Sequence, residues 1–242
     1  MTVLFSLWVA QVASAAEVSQ TAKKTVWVID QYHHSTGQHQ ISFTPDAVKI
    51  CNNNFGYKLL AKAPVWDVCV YRDDDKIMCK LSRRAYYGEQ GFDPKRPKIN
   101  TNPIIANQDV CKIKTKVYRG PHHDDWVAHF PGVPHDVEDM ITAFFKSQEV
   151  DGVVLRSVRS KKQKANKTDL LSFYVDEQKA GTRLDTLNIR SVPYKASDFE
   201  IPANLRKTAN IRAVTTSASG RQEAESIIEQ MGLGEKLGSK RK

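Results

Sequence analysis

FGYKLLAKAPVWDVCVYRDDDKIMCKL (55–81) is the stretch whose reading decides the fold. It divides into FGYKLLAK (55–62), VWDVCVYR (65–72) and KIMCKL (76–81), broken by Pro64 and by Asp73, Asp74 and Asp75. Short aromatic and β-branched runs bounded by such breakers read as strands joined by tight turns. Upstream, TVWVID (25–30), HQISFT (39–44) and DAVKIC (46–51) continue the pattern, punctuated by Gly37 and Asn52-Asn53-Asn54. The spacing predicts a meander. Downstream, FDPKRPKINTNPIIANQ (92–108) places Pro94, Pro97 and Pro103 where a strand or helix interior would need free N–H groups, so it reads as a long connection, a flap.

In CKIKTKVY (111–118), Cys111, Ile113, Thr115 and Val117 alternate with Lys112, Lys114 and Lys116, the period of a half-exposed strand. The period changes in PHDVEDMITAFFKS (134–147). Val137, Met140, Ile141, Phe144 and Phe145 fall on one face of a helix whose first turn carries Asp136, Glu138 and Asp139. VDGVVLRSVRS (150–160), DLLSFYVDE (169–177), TRLDTLNIR (182–190) and NIRAVTT (210–216) read as further strands. A second helix opens with capping-box spacing at Ser219-Gly220-Arg221-Gln222 and carries Ala224, Ile227, Ile228 and Met231 as its stripe. The expected fold class is mainly β (α+β): a curved antiparallel sheet or incomplete barrel over residues 24–217, with an inserted helix at 135–146. A C-terminal helix and basic tail occupy 218–242.

The opening MTVLFSLWVAQVASAA (1–16) has a short apolar run followed by small residues of the signal-peptidase type, although no Lys or Arg precedes the run. A signal peptide predicts an exported protein, periplasmic or extracellular and soluble once the leader is removed; the alternative is a buried N-terminal element. In an exported chain four cysteines suggest disulfides, with three possible connectivities. A three-residue Asp turn would pair Arg72 with Lys76 and set Cys69 opposite Cys79, leaving Cys51 with Cys111 by elimination. Free thiols are the alternative, and no pair has zinc-finger spacing.

A net charge of +9 suits an anionic membrane surface or an envelope protein better than nucleic acid in that compartment, and a solvated basic face with no partner is the competing reading. The segment 122–135 holds His122, His123, Asp124, Asp125, His129 and His135, residue types that ligate transition metals, while His33, His34 and His39 form another group. H-E-x-x-H is absent, so polar loop residues are the simpler reading and a metal-dependent enzyme the alternative one. G-x-S-x-G, P-loop and G-x-G-x-x-G motifs are also missing, and neither an enzyme nor a cofactor is expected.

GYKLLAKAPVWDVCVYR (56–72), LLSFYVDEQKAGTRLDTLNIR (170–190) and above all YKASDFEIPANLRK (194–207) resemble the periplasmic LolA-like lipoprotein carriers. The resemblance implies an incomplete antiparallel barrel covered by helices, with acyl chains held between them. Helix 135–146 would then be part of a lid, and Trp66, Ile141, Phe144, Phe145, Leu171 and Phe173 the lining. The two possible disulfides and the proline-rich loop depart from that pattern. The same apolar residues would serve equally as ordinary core. The expected function is therefore non-catalytic binding of an apolar ligand, a lipid or acyl chain, against the alternative of an envelope interaction or structural protein with a packed core.

Overall fold

The structure is a computed structural model that describes residues 24–95, 103–120, 123–147, 150–159 and 181–216. Its first half is the expected meander: β1 (Thr25–His33), β2 (Gly37–Thr44), β3 (Ala47–Asn52), β4 (Tyr57–Lys62), β5 (Val68–Arg72) and β6 (Ile77–Leu81). A second meander follows as β7 (Ile105–Val110), β8 (Ile113–Arg119), β9 (His123–Ala128), β10 (Val153–Arg159) and β11 (Thr182–Pro193), with a two-residue β12 (Arg206–Lys207) near the end of the described chain. The strands form one open sheet in the order β12-β6-β5-β4-β3-β2-β1-β11-β10-β9-β8-β7. Every pairing is antiparallel except that of β12 with β6, so the sheet is mixed.

Two helices interrupt the strands, α1 (Arg83–Gln90) and α2 (His135–Phe145), and a short α3 (Ile211–Thr215) follows them. Helix α2 touches both β3 and β10. Those strands lie four spacings apart in the sheet, about 19 Å if it were flat, whereas a helix is only about 10 Å across. The sheet therefore curls around α2, and its inner face is the main apolar core.

Alternation along the strands builds that core. Ile29, Ile41, Phe43, Val48, Ile50, Leu59 and Val70 all point inward, where they meet Met140, Ile141 and Ala143 of α2 and Tyr86 and Tyr87 of α1. Fully burying side chains of this size contributes roughly 1.5–3 kcal/mol each. The outer face has its own smaller cluster. Val26, Val28, Leu60, Cys69 and Tyr71 are covered by Phe199, which sits on a single 3-10 turn at Ala196–Phe199 and stacks on Tyr194. The segment between β11 and β12 is thus a strap across the back of the sheet.

Several expectations are corrected. RRAYYGEQ, to which the sequence reading assigned no element, is helical: the Ser82 hydroxyl accepts from the Ala85 N–H and both tyrosines are buried. The end of the proline-rich connection is strand β7, which begins just after Pro103. NIRAVTT is helix α3, not a strand: the Asn210 side chain caps it by accepting from the Arg212 N–H, and Val214 is driven into the core. Strand DLLSFYVDE, the signal peptide and the C-terminal helix lie outside the described residues.

The Cys69–Cys79 link is corrected by register. The β5–β6 turn holds Asp73 to Lys76, with Lys76 at φ +50, so Arg72 faces Ile77, Cys69 faces Lys80 and Cys79 faces Val70. The two thiols leave opposite faces of the sheet, Cys79 into the main core and Cys69 into the outer cluster. Cys51, on β3, and Cys111, in the β7–β8 turn with its Sγ 3.4 Å from the Thr186 carbonyl of β11, are separated by several strands. All four are free thiols. Burial pushes each of them up, Cys69 to about 11, which keeps them protonated at neutral pH.

Candidate ligand-binding site

Helix α2 starts at His135, after Pro134 in extended conformation, and stops at Lys146, whose φ of +55 makes it a left-handed cap. Its stripe is the expected one. Ile141 is 1% exposed and Phe145 is buried, while Phe144 is half-buried at the margin of the core. Trp66, in the β4–β5 turn at φ +58, is buried in the same core cluster. The structure thus gathers Trp66, Ile141, Phe144 and Phe145 on one face; Leu171 and Phe173 lie outside the described residues.

What the sequence reading missed is the polar floor beneath the two phenylalanines. The Phe144 ring lies 5.3 Å from the His39 ring and the Phe145 ring 5.3 Å from His39 and 6.0 Å from His33. The Tyr57 ring lies 6.4 Å from that of Phe144. Gln31 and His33 extend the inward row of β1, His39 that of β2 and Asn52 that of β3, and all four are buried. The signal was available in the alternation: HQISFT places His39 in phase with Ile41 and Phe43.

The hydrogen bonds of this floor fix its atoms. Asn52 Oδ1 accepts from the Phe55 N–H at 2.7 Å, so its amide nitrogen is the group 2.9 Å from His39 Nε2. His39 Nε2 is then an acceptor and its proton sits on Nδ1. Gln31 donates through Nε2 to the Val154 carbonyl at 3.0 Å and to Thr186 Oγ1 at 2.9 Å, which leaves Oε1 as an acceptor. Three buried atoms of the inner face have no partner: Gln31 Oε1 and His33 Nε2 on β1, and Ser157 Oγ on β10. Each unsatisfied group costs roughly 1–3 kcal/mol, and a native fold carries few of them.

Burial pushes His33 down to about 4, helped by the positive fields of His34 and Arg183. It pushes His39 down to about 4 as well, with the Gly37 carbonyl pulling the other way. Both imidazoles are neutral at pH 7. The floor therefore offers hydrogen bonds without charge, chemistry that suits an ester, hydroxyl or amide.

The back of the sheet carries another apolar feature, a groove of about 530 Å³ lined by Leu60, Val65, Cys69, Phe199 and Ile201, with Lys62 and Lys80 at its rim. Val65 and Ile201 are exposed there.

The His-rich segment separates into distinct pairings. His123 Nε2 lies 3.1 Å from the buried Asp125, and Asp124 pairs with Arg119. His129 Nδ1 is 3.0 Å from Glu138 Oε1, and His135 Nδ1 is 3.3 Å from Glu138 Oε2 and 3.8 Å from Asp151 Oδ1. His122 lies outside the described residues. Of the segment, His123 and Asp125 pair with each other, while His129 and His135 both converge on Glu138.

No family model and no curated protein matches the chain. Among solved structures it is similar to the crystal structure of an uncharacterized conserved protein from Thermus thermophilus, at 7% identity and a TM-score of 0.31, over 77% of this chain and 91% of that one. Among the described residues no helix is long and apolar enough to cross a membrane.

Proposed function

We propose that this chain is an exported, non-catalytic binding protein that shelters an acyl chain between the inner face of its curled sheet and helix α2. The polar end of the ligand rests on the floor formed by Gln31, His33, His39 and Ser157. One observation carries this reading: Gln31 Oε1, His33 Nε2 and Ser157 Oγ are buried without a partner on the inner face of the sheet, in addition to the Tyr86 and Tyr87 hydroxyls of the same core. An ester or hydroxyl would offset their desolvation, while each CH₂ withdrawn from water contributes about 0.8 kcal/mol. Phe144 is the gate, because it is the half-buried member of the pair covering His39.

Native mass spectrometry and solvent extraction of the purified protein test the proposal. Co-purifying acyl species are expected, and Phe144→Asp is expected to abolish them by placing a carboxylate in the low-dielectric path of the chain. Ile201→Asp, on the back of the sheet, is expected to leave them in place. Ligand lost only with Ile201→Asp would move the site to the outer groove. Clean protein that also fails to take up a fluorescent fatty-acid ester would favour the interaction protein with a packed core.

A further inference from the structure

We propose that His135, Glu138 and Asp151, with His129 beside them on Glu138, form a binding site for a divalent transition-metal ion of the zinc class, independent of the acyl site. Three elements converge to make it. His129 follows the last residue of β9, His135 and Glu138 stand one turn apart on α2, and Asp151 lies in the turn before β10. The donor atoms of His135, Glu138 and Asp151 all lie within 4.8 Å of one another. Within that trio the His135–Glu138 and His135–Asp151 pairs, at 3.3 and 3.8 Å, are close to the edge of a tetrahedron around an ion held at zinc distances of about 2.1 Å, which is roughly 3.4 Å, while His129 approaches Glu138 Oε1 at 3.0 Å.

The chemistry of the set is selective. An imidazole nitrogen with two carboxylates, and a second imidazole alongside, suits zinc and its first-row neighbours, whereas calcium and magnesium take oxygen. Glu138 is the anchor. Its side chain is 4% exposed, on a helix face that also buries Val137 and Ile141, and a buried carboxylate is costly unless it is well compensated. A divalent ion compensates it more completely than two imidazole contacts. The other three side chains are open to water, at 50% for His129, 75% for His135 and 54% for Asp151, so an ion can enter and keep a water ligand.

Gly152 holds Asp151 in place. At φ +114 it lets the turn press on the end of β9, where a Cβ would lie 2.8 Å from Val127 Cγ1 and 2.9 Å from the Ala128 carbonyl. Any side chain there would lift the turn, and Asp151 with it, away from His135.

Titration of the metal-stripped full-length protein with zinc chloride, followed by calorimetry, decides the matter, with cobalt(II) absorption reporting coordination geometry. One ion per chain is expected, with a tetrahedral cobalt spectrum. Glu138→Gln and His135→Ala each remove a ligand and are expected to weaken binding by more than the roughly 10–100-fold typical of outer-shell changes. His34→Ala, in the other histidine group, is expected to change nothing. Circular dichroism establishes that each variant is folded, and His135, being exposed, can be removed without opening the core. No stoichiometric binding by the natural sequence overturns the proposal, as does equal binding by Glu138→Gln and His135→Ala. Loss on His34→Ala assigns the ion to the His33–His39 group instead.

Discussion

Between pH 6.5 and pH 4 the folded state is expected to lose about 4 kcal/mol of stability, roughly 2 kcal/mol from each of His33 and His39. Both are held neutral in the fold with values near 4, against an ordinary value of 6.5. Throughout that window the unfolded chain binds protons that the folded chain refuses, so the unfolding free energy falls as pH falls. Above pH 6.5 neither state is protonated and the contribution is whole; below pH 4 both states are protonated and the slope ends. The full linkage value is somewhat larger, and solvent access lowers it. Urea unfolding at intervals of half a pH unit measures the slope. His33→Gln with His39→Gln is expected to flatten it, whatever those changes do to stability at pH 7. Asp74 acts in the same direction at lower pH. The Arg72 guanidinium hydrogen-bonded to it holds its carboxyl low, so its contribution is lost only as pH falls below the ordinary carboxylate range. An unchanged slope in the double variant would remove the histidines as its source.

Arg72→Met is expected to cost about 2–4 kcal/mol. The Arg72 side chain is 3% exposed and ties two turns together. One nitrogen donates to the Phe55 carbonyl in the β3–β4 turn, while Nε and another nitrogen donate to Asp74 at 3.1 and 2.6 Å in the β5–β6 turn. Asp75 adds a contact at 3.3 Å. Gly56, at φ +70, leaves the guanidinium its room; a Cβ there would stand 3.2 Å from it. Methionine keeps most of the packing volume, so the loss isolates the polar connection and the orphaned carbonyl. Arg72→Lys keeps the charge but not the planar fork, and is expected to recover at most half. Thermal or urea unfolding measures both. A loss below about 1 kcal/mol for methionine would mean that the turns hold their shape without the arginine.

The sequence disclosed the elements whose side chains repeat with one clear period. Strands β1 to β6 read directly because breakers frame them, and α2 read almost to the residue because Val137, Met140, Ile141 and Phe144 share one face. It did not disclose elements held by single contacts. Helix α1 depends on the Ser82 cap and on Tyr86 and Tyr87, and α3 on the Asn210 cap against a run of β-branched residues that favours strand. Turn length was the costliest ambiguity. One additional residue in a left-handed conformation, Lys76, moves Cys79 to the opposite face from Cys69 and removes the disulfide. In the candidate site, the apolar wall followed from helical spacing, but the floor did not, since His33 and His39 reveal themselves as inward only once strand phase is combined with the position of α2. The acidic member of the metal cluster was hidden similarly. Glu138 looked like a first-turn charge favouring the helix dipole, and its burial arises only because β9 and the turn at Asp151 close over it.

The pairing of β1 with β11 sets a timetable for the growing chain. Asp30 meets Asn188, so the first of the described strands to leave the ribosome is completed by the last long one among them. At roughly 5–20 residues per second, about 8–30 s separate their emergence. Through that interval the first meander can order itself, but it presents two unsatisfied strand edges, β1 awaiting β11 and β6 awaiting β12, the kind of surface on which nascent chains stick to one another. The seam that joins the two halves of the finished sheet is, during synthesis, its most vulnerable margin.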